Sequence, residues 1–182
     1  MSVKPMFTNA DIDNWLKAFQ EKAEAALLMT LKRAGERFVK YARETGRYND
    51  RTGNLRSSIG YIIVKDGTPQ VVAFKAQKSP ERTITEQVTQ TLADGTKRVA
   101  TRKVKVGGDG KEGAQKAERL AAKIAREHKT GYVLIGVAGM EYAKWVEAMG
   151  LDVITSSSIK TEEYLRKSIR EILDKAKKYG RI

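Results

Sequence analysis

Few side chains in this sequence are suited to catalysis. The 182 residues include one histidine, His128, and no cysteine, so thiolate nucleophiles, disulfides and two-histidine metal sites are excluded. His128 could act as a general base or a pH switch. It lies near the end of a predicted helix, however, and a cation near a helix C-terminus is stabilised by the helix dipole, which is the interpretation we favour. We expect a protein that is not an enzyme and that uses no cofactor or metal.

Two acidic residues, Glu147 and Asp152, flank a predicted turn and could form a pair of catalytic carboxylates. A hydrolytic pair needs a cleft together with a further proton donor or a metal. The one other acidic residue nearby is Glu141. The pattern therefore does not favour catalysis at this turn.

Glycines between residues 108 and 113 match the pattern G-x-G-x-x-G, which can cradle a phosphate between a strand and a helix. In a dinucleotide-binding unit the preceding strand is buried and almost continuously apolar. Here the preceding segment, Lys97 to Val106, is rich in charge. We interpret Gly107 to Gly113 as a flexible joint, with phosphate binding as the minor alternative.

Charge is the strongest compositional signal. The chain has 35 lysines and arginines against 22 acidic residues, a net charge of +13, which predicts attraction to nucleic acid, an acidic protein or anionic lipid. The excess is spread along the chain, and its densest run contains no aromatic residue for contacting bases. This run could contact nucleic-acid phosphates non-specifically, or it could be a solvated face that meets an acidic partner. It comprises Lys97, Arg98, Arg102, Lys103 and Lys105.

A long amphipathic helix is predicted over residues 10–45. Thr8 and Asp11 form a capping pattern, apolar residues recur every three or four positions, and Gly46 is the expected C-cap. Such a helix is on the order of 50 Å long, more than a small domain can cover. We expect part of its apolar stripe to face another subunit, with Trp15 as a core or interface residue.

Two β-hairpins are predicted next. The first pairs Ile59 to Lys65 with Gln70 to Lys75. The second pairs Thr83 to Leu92 with Lys97 to Val106 through the turn Ala93-Asp94-Gly95-Thr96. Because the second ribbon has little apolar surface and two strands alone are marginally stable, we interpret it as a projecting arm that becomes ordered against a partner.

The remaining segments complete an α+β fold. We expect a mostly antiparallel sheet packed by long N-terminal and C-terminal helices, with the β-hairpin arm projecting from it. No apolar run is long enough to span a membrane, and Met1 to Ala10 lacks the core of a secretory signal. The further elements predicted are a helix over 114–129, a strand over 131–138, a helix over 140–149, a β segment over 151–155 and a last helix capped by Ser157 or Ser158.

Three local features, taken in order, resemble a known family: two short segments and a closing amphipathic helix. The first, Arg51 to Ile59, follows the long helix, and the second, Tyr142 to Gly150, precedes the last helix. They resemble the neck, or tail-completion, proteins of long-tailed bacteriophages over about residues 9–75 and 130–178. The family-motif residues are Thr52, Gly53, Leu55, Ser58, Ile59, Tyr142, Ala143, Trp145, Val146, Glu147 and Gly150. The chain departs from the family pattern at Gly150-Leu151-Asp152 and at the step into the last helix, Ile154 to Ser157.

The resemblance implies a structural virion protein that forms a ring in the phage neck, between the portal side of the head and the tail. Its partners would be further copies of itself, other head-completion and tail proteins, and DNA in transient contact, with no membrane. Assembly would occur in the cytoplasm of the host bacterium. On this basis we expect one neck-type domain over 1–182, with 78–129 as an inserted arm and helix. The alternative function is non-specific nucleic-acid binding.

The motif residues also have a physical interpretation that does not depend on the family. Gly53 is expected to supply a backbone conformation that other residues avoid, and Leu55 and Ile59 to anchor the junction in the core. The spacing of Tyr142, Trp145, Val146 and Met149 predicts one apolar helix face, with Trp145 as a core or interface residue. Glu147 lies outside that face, in polar surroundings where a basic neighbour in the same or the next subunit could pair with it.

Overall fold

The computed structural model describes residues 8–93 and 95–179. The predicted turn residue Asp94, and residues 1–7 of the segment predicted to lack a secretory signal, lie outside this range. The elements are α1 (Asn9–Thr45), α2 (Asn54–Ser57), β1 (Ile59–Lys65), β2 (Thr68–Ala73), β3 (Ser79–Thr91), β4 (Lys97–Gly108), α3 (Lys111–Ala125), β5 (Tyr132–Ala138), α4 (Ala143–Ala148) and α5 (Thr155–Tyr179). The predicted α+β class, with its terminal helices and hairpin, is confirmed.

Helix α1 begins with the predicted capping box. The amide of Thr8 donates to Asp11 Oδ2 over 2.8 Å, and the amide of Asp11 donates to Thr8 Oγ1 over 3.3 Å. The helix ends before Gly46, whose φ of −56° is not left-handed. Its fully buried residues begin only at Leu31, so the first half of α1 extends beyond the core.

The main sheet has the strand order β2-β1-β5, and both pairings are antiparallel. Alternating residues of β1 point to opposite faces. Ile62 and Val64 pack against α3 on one face. Tyr61 and Ile63 pack against α1 and α5 on the other. Because both faces are covered, the central strand is an almost unbroken apolar run rather than an alternating one.

The first hairpin turns more tightly than predicted. Asp66 and Gly67 both have positive φ, 50° and 77°, which is the requirement of a two-residue type I′ turn. Strand β2 therefore begins at Thr68 rather than at Gln70.

Near the C-terminus, the predicted β segment over 151–155 is wrong. No strand forms there, and α5 begins at Thr155, before the predicted caps Ser157 and Ser158. The reason is that side-chain carboxylates, rather than a neighbouring strand, accept the amide hydrogens of residues 153–156. Helices α3 and α4 are also shorter at their C-terminal ends than predicted, stopping at Ala125 and Ala148.

The second hairpin is confirmed and is longer than predicted. Strands β3 and β4 pair in register from Arg82 and Val106 to Thr91 and Lys97, and they form a sheet of their own. Among the described residues, no helix has the length and apolar character needed to cross a membrane.

Candidate functional site

The two motif segments, about 85 residues apart in the chain, meet in one hydrophobic cluster. Leu55 and Ile59 from the first are buried beside Ala143 from the second, and Val146 packs against them. The amide of Gly139 also donates to Ser58 O over 3.0 Å, which ties the end of β5 to the first motif. The predicted core-anchoring role of Leu55 and Ile59 is confirmed. We call this cluster the motif junction.

Gly53 has the special backbone conformation expected of it. Its φ is +77°, and a Cβ there would lie 2.6 Å from Gln77 O, so both the conformation and the space favour glycine. The neighbouring Ser57 is fully buried and accepts the amide hydrogen of Gln77 over 2.7 Å. The exposed Thr52 accepts the amide hydrogen of Asn54 over 3.3 Å.

The interpretation of Gly107 to Gly113 as a flexible joint is wrong. This segment is packed tightly against the first motif: a Cβ on Gly108 would lie 2.5 Å from Thr52 O, and one on Gly113 would lie 2.0 Å from Asn54 O. Asn54 also donates to Glu112 Oε2 over 3.1 Å. The glycines allow the start of α3 to approach α2, and this approach accounts for their spacing without a bound phosphate.

Within the described part of the chain, Glu147 forms no ion pair with a basic residue, and pairing with the next subunit stays a prediction. Its carboxylate accepts the amide hydrogens of Val153 at 2.7 Å, Ile154 at 3.0 Å and Thr155 at 3.3 Å. Asp152 accepts the next amide hydrogen, that of Ser156, over 3.0 Å. The two candidate catalytic carboxylates therefore cap the N-terminus of α5, where unpaired amides and the helix dipole favour negative charge.

The environment of Glu147 lowers the pKa of its carboxyl group. Burial alone would raise the pKa of Glu147, but the hydrogen bonds from Thr155 and from the backbone amides of Ile154 and Val153 outweigh it and lower the pKa below the usual 4.5. The carboxylate is thus held charged. Gly150, with a φ of +74°, reverses the chain between α4 and this cap.

The apolar face predicted on α4 is mostly uncovered. Val146 is half-buried, whereas Tyr142, Trp145 and Met149 are 41%, 65% and 67% exposed. Trp145 is therefore not a core residue. An interface role for it remains a prediction.

A second uncovered apolar surface lies on α1. Trp15 and Phe19 stack with ring centroids 5.7 Å apart, and both are more than 40% exposed. Ile12 and Leu16 extend the same stripe and are similarly exposed. We call these four residues the α1 stripe.

The basic residues of the arm do not share one face. The strand register puts Lys97, Lys103 and Lys105 on one face of the hairpin, and Arg98 and Arg102 on the other. Arg102 lies 3.8 Å from Glu86, which also pairs with Arg51, the first residue of the first motif segment.

Sequence reasoning missed two arginines that tie the first motif to α1. Arg43 is half-buried, and this burial lowers its pKa; it donates to Ile59 O over 2.8 Å and to Lys75 O over 3.0 Å. Arg56 donates to Arg43 O and lies 5.2 Å from the Tyr48 ring centroid. Arginines are common on any exposed helix or turn, so no local sequence pattern distinguished these two as structural residues.

His128 is exposed and lies beyond the last residue of α3, and its amide donates to Ala125 O over 3.2 Å. This position is compatible with the interpretation as a cation near a helix C-terminus. Within residues 8–93 and 95–179, no three histidine, aspartate or glutamate side chains are arranged to hold a metal ion.

Residues 10–83 match the model of a protein family described as "Bacteriophage HK97-gp10, putative tail-component". The chain is similar to a phage tail component. The match spans α1, the first motif and the first hairpin, and it supports a structural protein associated with the phage tail and located in the virion. The predicted phage relationship is confirmed at this level. No curated protein and no solved structure matches the chain.

Proposed function

We propose that this protein is a non-enzymatic subunit of the phage neck, which assembles as a ring that joins the DNA-filled head, on its portal side, to the tail. The family match over residues 10–83 supports a tail-associated structural role. The observation that carries the finer proposal is the α1 stripe, since a helix that extends beyond its own core with exposed tryptophan and phenylalanine needs a partner surface.

The positions of the apolar surfaces suit contacts between copies of the chain. The α1 stripe lies on the part of α1 that precedes the core, whereas α4, with the exposed Trp145 and Met149, packs beside Phe38. Trp15 and Phe38 are roughly 35 Å apart along the helix axis. Two separated patches favour head-to-tail contacts, and such contacts form a closed ring when the rotation between subunits closes.

The decisive experiment is electron microscopy of lysates of the encoding phage with a nonsense mutation in this gene. We expect DNA-filled heads separated from complete, free tails, and joined particles when the gene is supplied from a plasmid. Normal joined particles in the mutant lysate would refute a joining role. Missing or aberrant tails would instead indicate a role in building the tail itself.

A further inference from the structure

The two faces of the β3–β4 arm differ sharply. One face contains the half-buried residues Ile84, Val88 and Val104 and turns Glu86 towards Arg51, although its arginines are exposed. Every paired residue on the opposite face is exposed. We call this the outer face, and it comprises Thr83, Thr85, Gln87, Thr89, Thr91, Lys97, Val99, Thr101, Lys103 and Lys105.

Lysines and threonines are directly paired across the outer face. Lys97 lies opposite Thr91, Lys103 opposite Thr85, and Lys105 opposite Thr83. Residues directly opposite in an antiparallel pair have Cβ atoms about 5 Å apart, so each of these lysine side chains starts beside a threonine side chain. The ten paired residues include no acid, and among the described residues none of these three lysines forms an ion pair.

The composition of the outer face distinguishes between DNA and an acidic protein as its partner. Protein interfaces are enriched in aromatic residues, methionine and arginine and depleted in lysine. Contacts to DNA phosphates, in contrast, come from lysine, arginine, serine and threonine. We propose that the outer face of the arm binds the phosphate backbone of double-stranded DNA. This proposal does not depend on the joining role, because it concerns the purified subunit.

The shape of the arm fits the same ligand. A two-stranded β-ribbon is narrow enough to enter the major groove, and successive residues on one face, such as Lys103 and Lys105, are about 7 Å apart along a strand. The face has no arginine or asparagine and one glutamine for bidentate base contacts, so binding is without strong sequence preference. The inner face also carries arginines, Arg82, Arg98 and Arg102, but there Glu86 pairs with Arg102 and with Arg51. The outer face is cationic without any acid among its paired residues.

The test uses the full-length protein and a fluorescent duplex of about 30 base pairs and mixed sequence, with anisotropy measured across a salt series. The variant is Lys97→Gln with Lys103→Gln and Lys105→Gln. The control, Lys123→Gln with Lys129→Gln and Lys175→Gln, removes the same charge at three exposed positions outside the arm. Circular dichroism and thermal melting establish that both variants fold.

We expect the outer-face variant to reduce the log–log salt slope by about three, with an affinity loss on the order of tenfold or more at low salt. The control should lose much less affinity. Equal losses in both variants would overturn the proposal, because they would mean that net charge alone drives binding. Binding to polyglutamate but not to the duplex would also overturn it and assign the face to an acidic protein.

Discussion

At the residue scale, Glu147 shows how a motif residue can join two elements. It belongs to α4, yet its carboxylate accepts amide hydrogens at the start of α5. Replacing such a cap typically costs about 1 kcal/mol, and up to about 2 kcal/mol in favourable cases. The role of Glu147 in the motif is therefore explained by the geometry of the chain, without a ligand or a partner subunit.

We predict that Glu147→Gln lowers the free energy of unfolding by about 1–2 kcal/mol at neutral pH, since the amide is uncharged and keeps only one acceptor oxygen. Urea denaturation measures this change. Glu141→Gln is the matched control, because the side chain of Glu141 is 89% exposed and makes only a loose ion pair, 3.7 Å from Lys116. A loss as large in the control would contradict the capping role.

The pH dependence of the same variant has a defined sign. Because the pKa of Glu147 is lowered in the folded state, its stabilisation is present above the usual value of 4.5 and is lost as the pH falls through the folded-state value. The difference in the free energy of unfolding between the natural protein and Glu147→Gln should therefore shrink below about pH 4.5. A difference that stays constant down to pH 3 would show that charge is not involved.

Local conformations were predictable from sequence, whereas contacts distant in the chain were not. The positive φ of Gly53 and the burial of Leu55 and Ile59 follow from residue type and spacing alone. The fit of Gly113 against Asn54 depends on two segments that are nearly 60 residues apart. No single sequence shows which backbone will approach a glycine, so mobility was the natural but wrong interpretation.

At the element scale, β3 and β4 form a unit that pairs only with itself among the described strands. Turn chemistry and β-branched residues were sufficient to predict both hairpins. The wrong prediction of a strand at 151–155 has a different cause. Val153 is buried and the local pattern is β-like, but side-chain carboxylates accept the amide hydrogens that a neighbouring strand would have accepted.

We predict that replacing Thr83 to Val106 with a short glycine-serine linker leaves the core folded and prevents assembly of the subunit onto the head or tail. The three-stranded sheet and its covering helices do not include the arm, so far-UV circular dichroism should still show the helices. Complementation of the nonsense mutant measures assembly. Unchanged assembly would remove the joining role of the arm and leave the neck proposal intact.

At the scale of the whole molecule, the unusual feature is the imbalance between the covered and uncovered parts of α1. Leu31 and Phe38 are buried in two different clusters, whereas residues 8–23 are exposed throughout. Periodicity predicted this helix almost to the residue. It could not show which portion lies on the core, because both halves carry the same apolar spacing.

We predict that Trp15→Glu combined with Phe19→Glu abolishes self-association of the purified protein, measured by sedimentation velocity, with little change in melting temperature. The control is Lys17→Glu, which makes the same change in net charge on the opposite side of the helix. An unchanged distribution of oligomers in the double variant would rule out the α1 stripe as a subunit contact.

The packing of α1 on the sheet also has a mechanical consequence. Gly35 lies against the ring of Tyr61, so closely that a Cβ would come within 2.4 Å of it, and Leu31 packs in the same core cluster as Tyr61. Further towards the N-terminus, Glu24 pairs with Lys65 over 2.6 Å, and residues 8–23 are exposed. From Glu24 to Asn9 the helix extends roughly 23 Å without interruption. A tilt of about 5° of this part would displace the far end by roughly 2 Å. Small bends in the exposed part of α1 would thus let identical subunits meet neighbours at slightly different distances while the core stays unchanged.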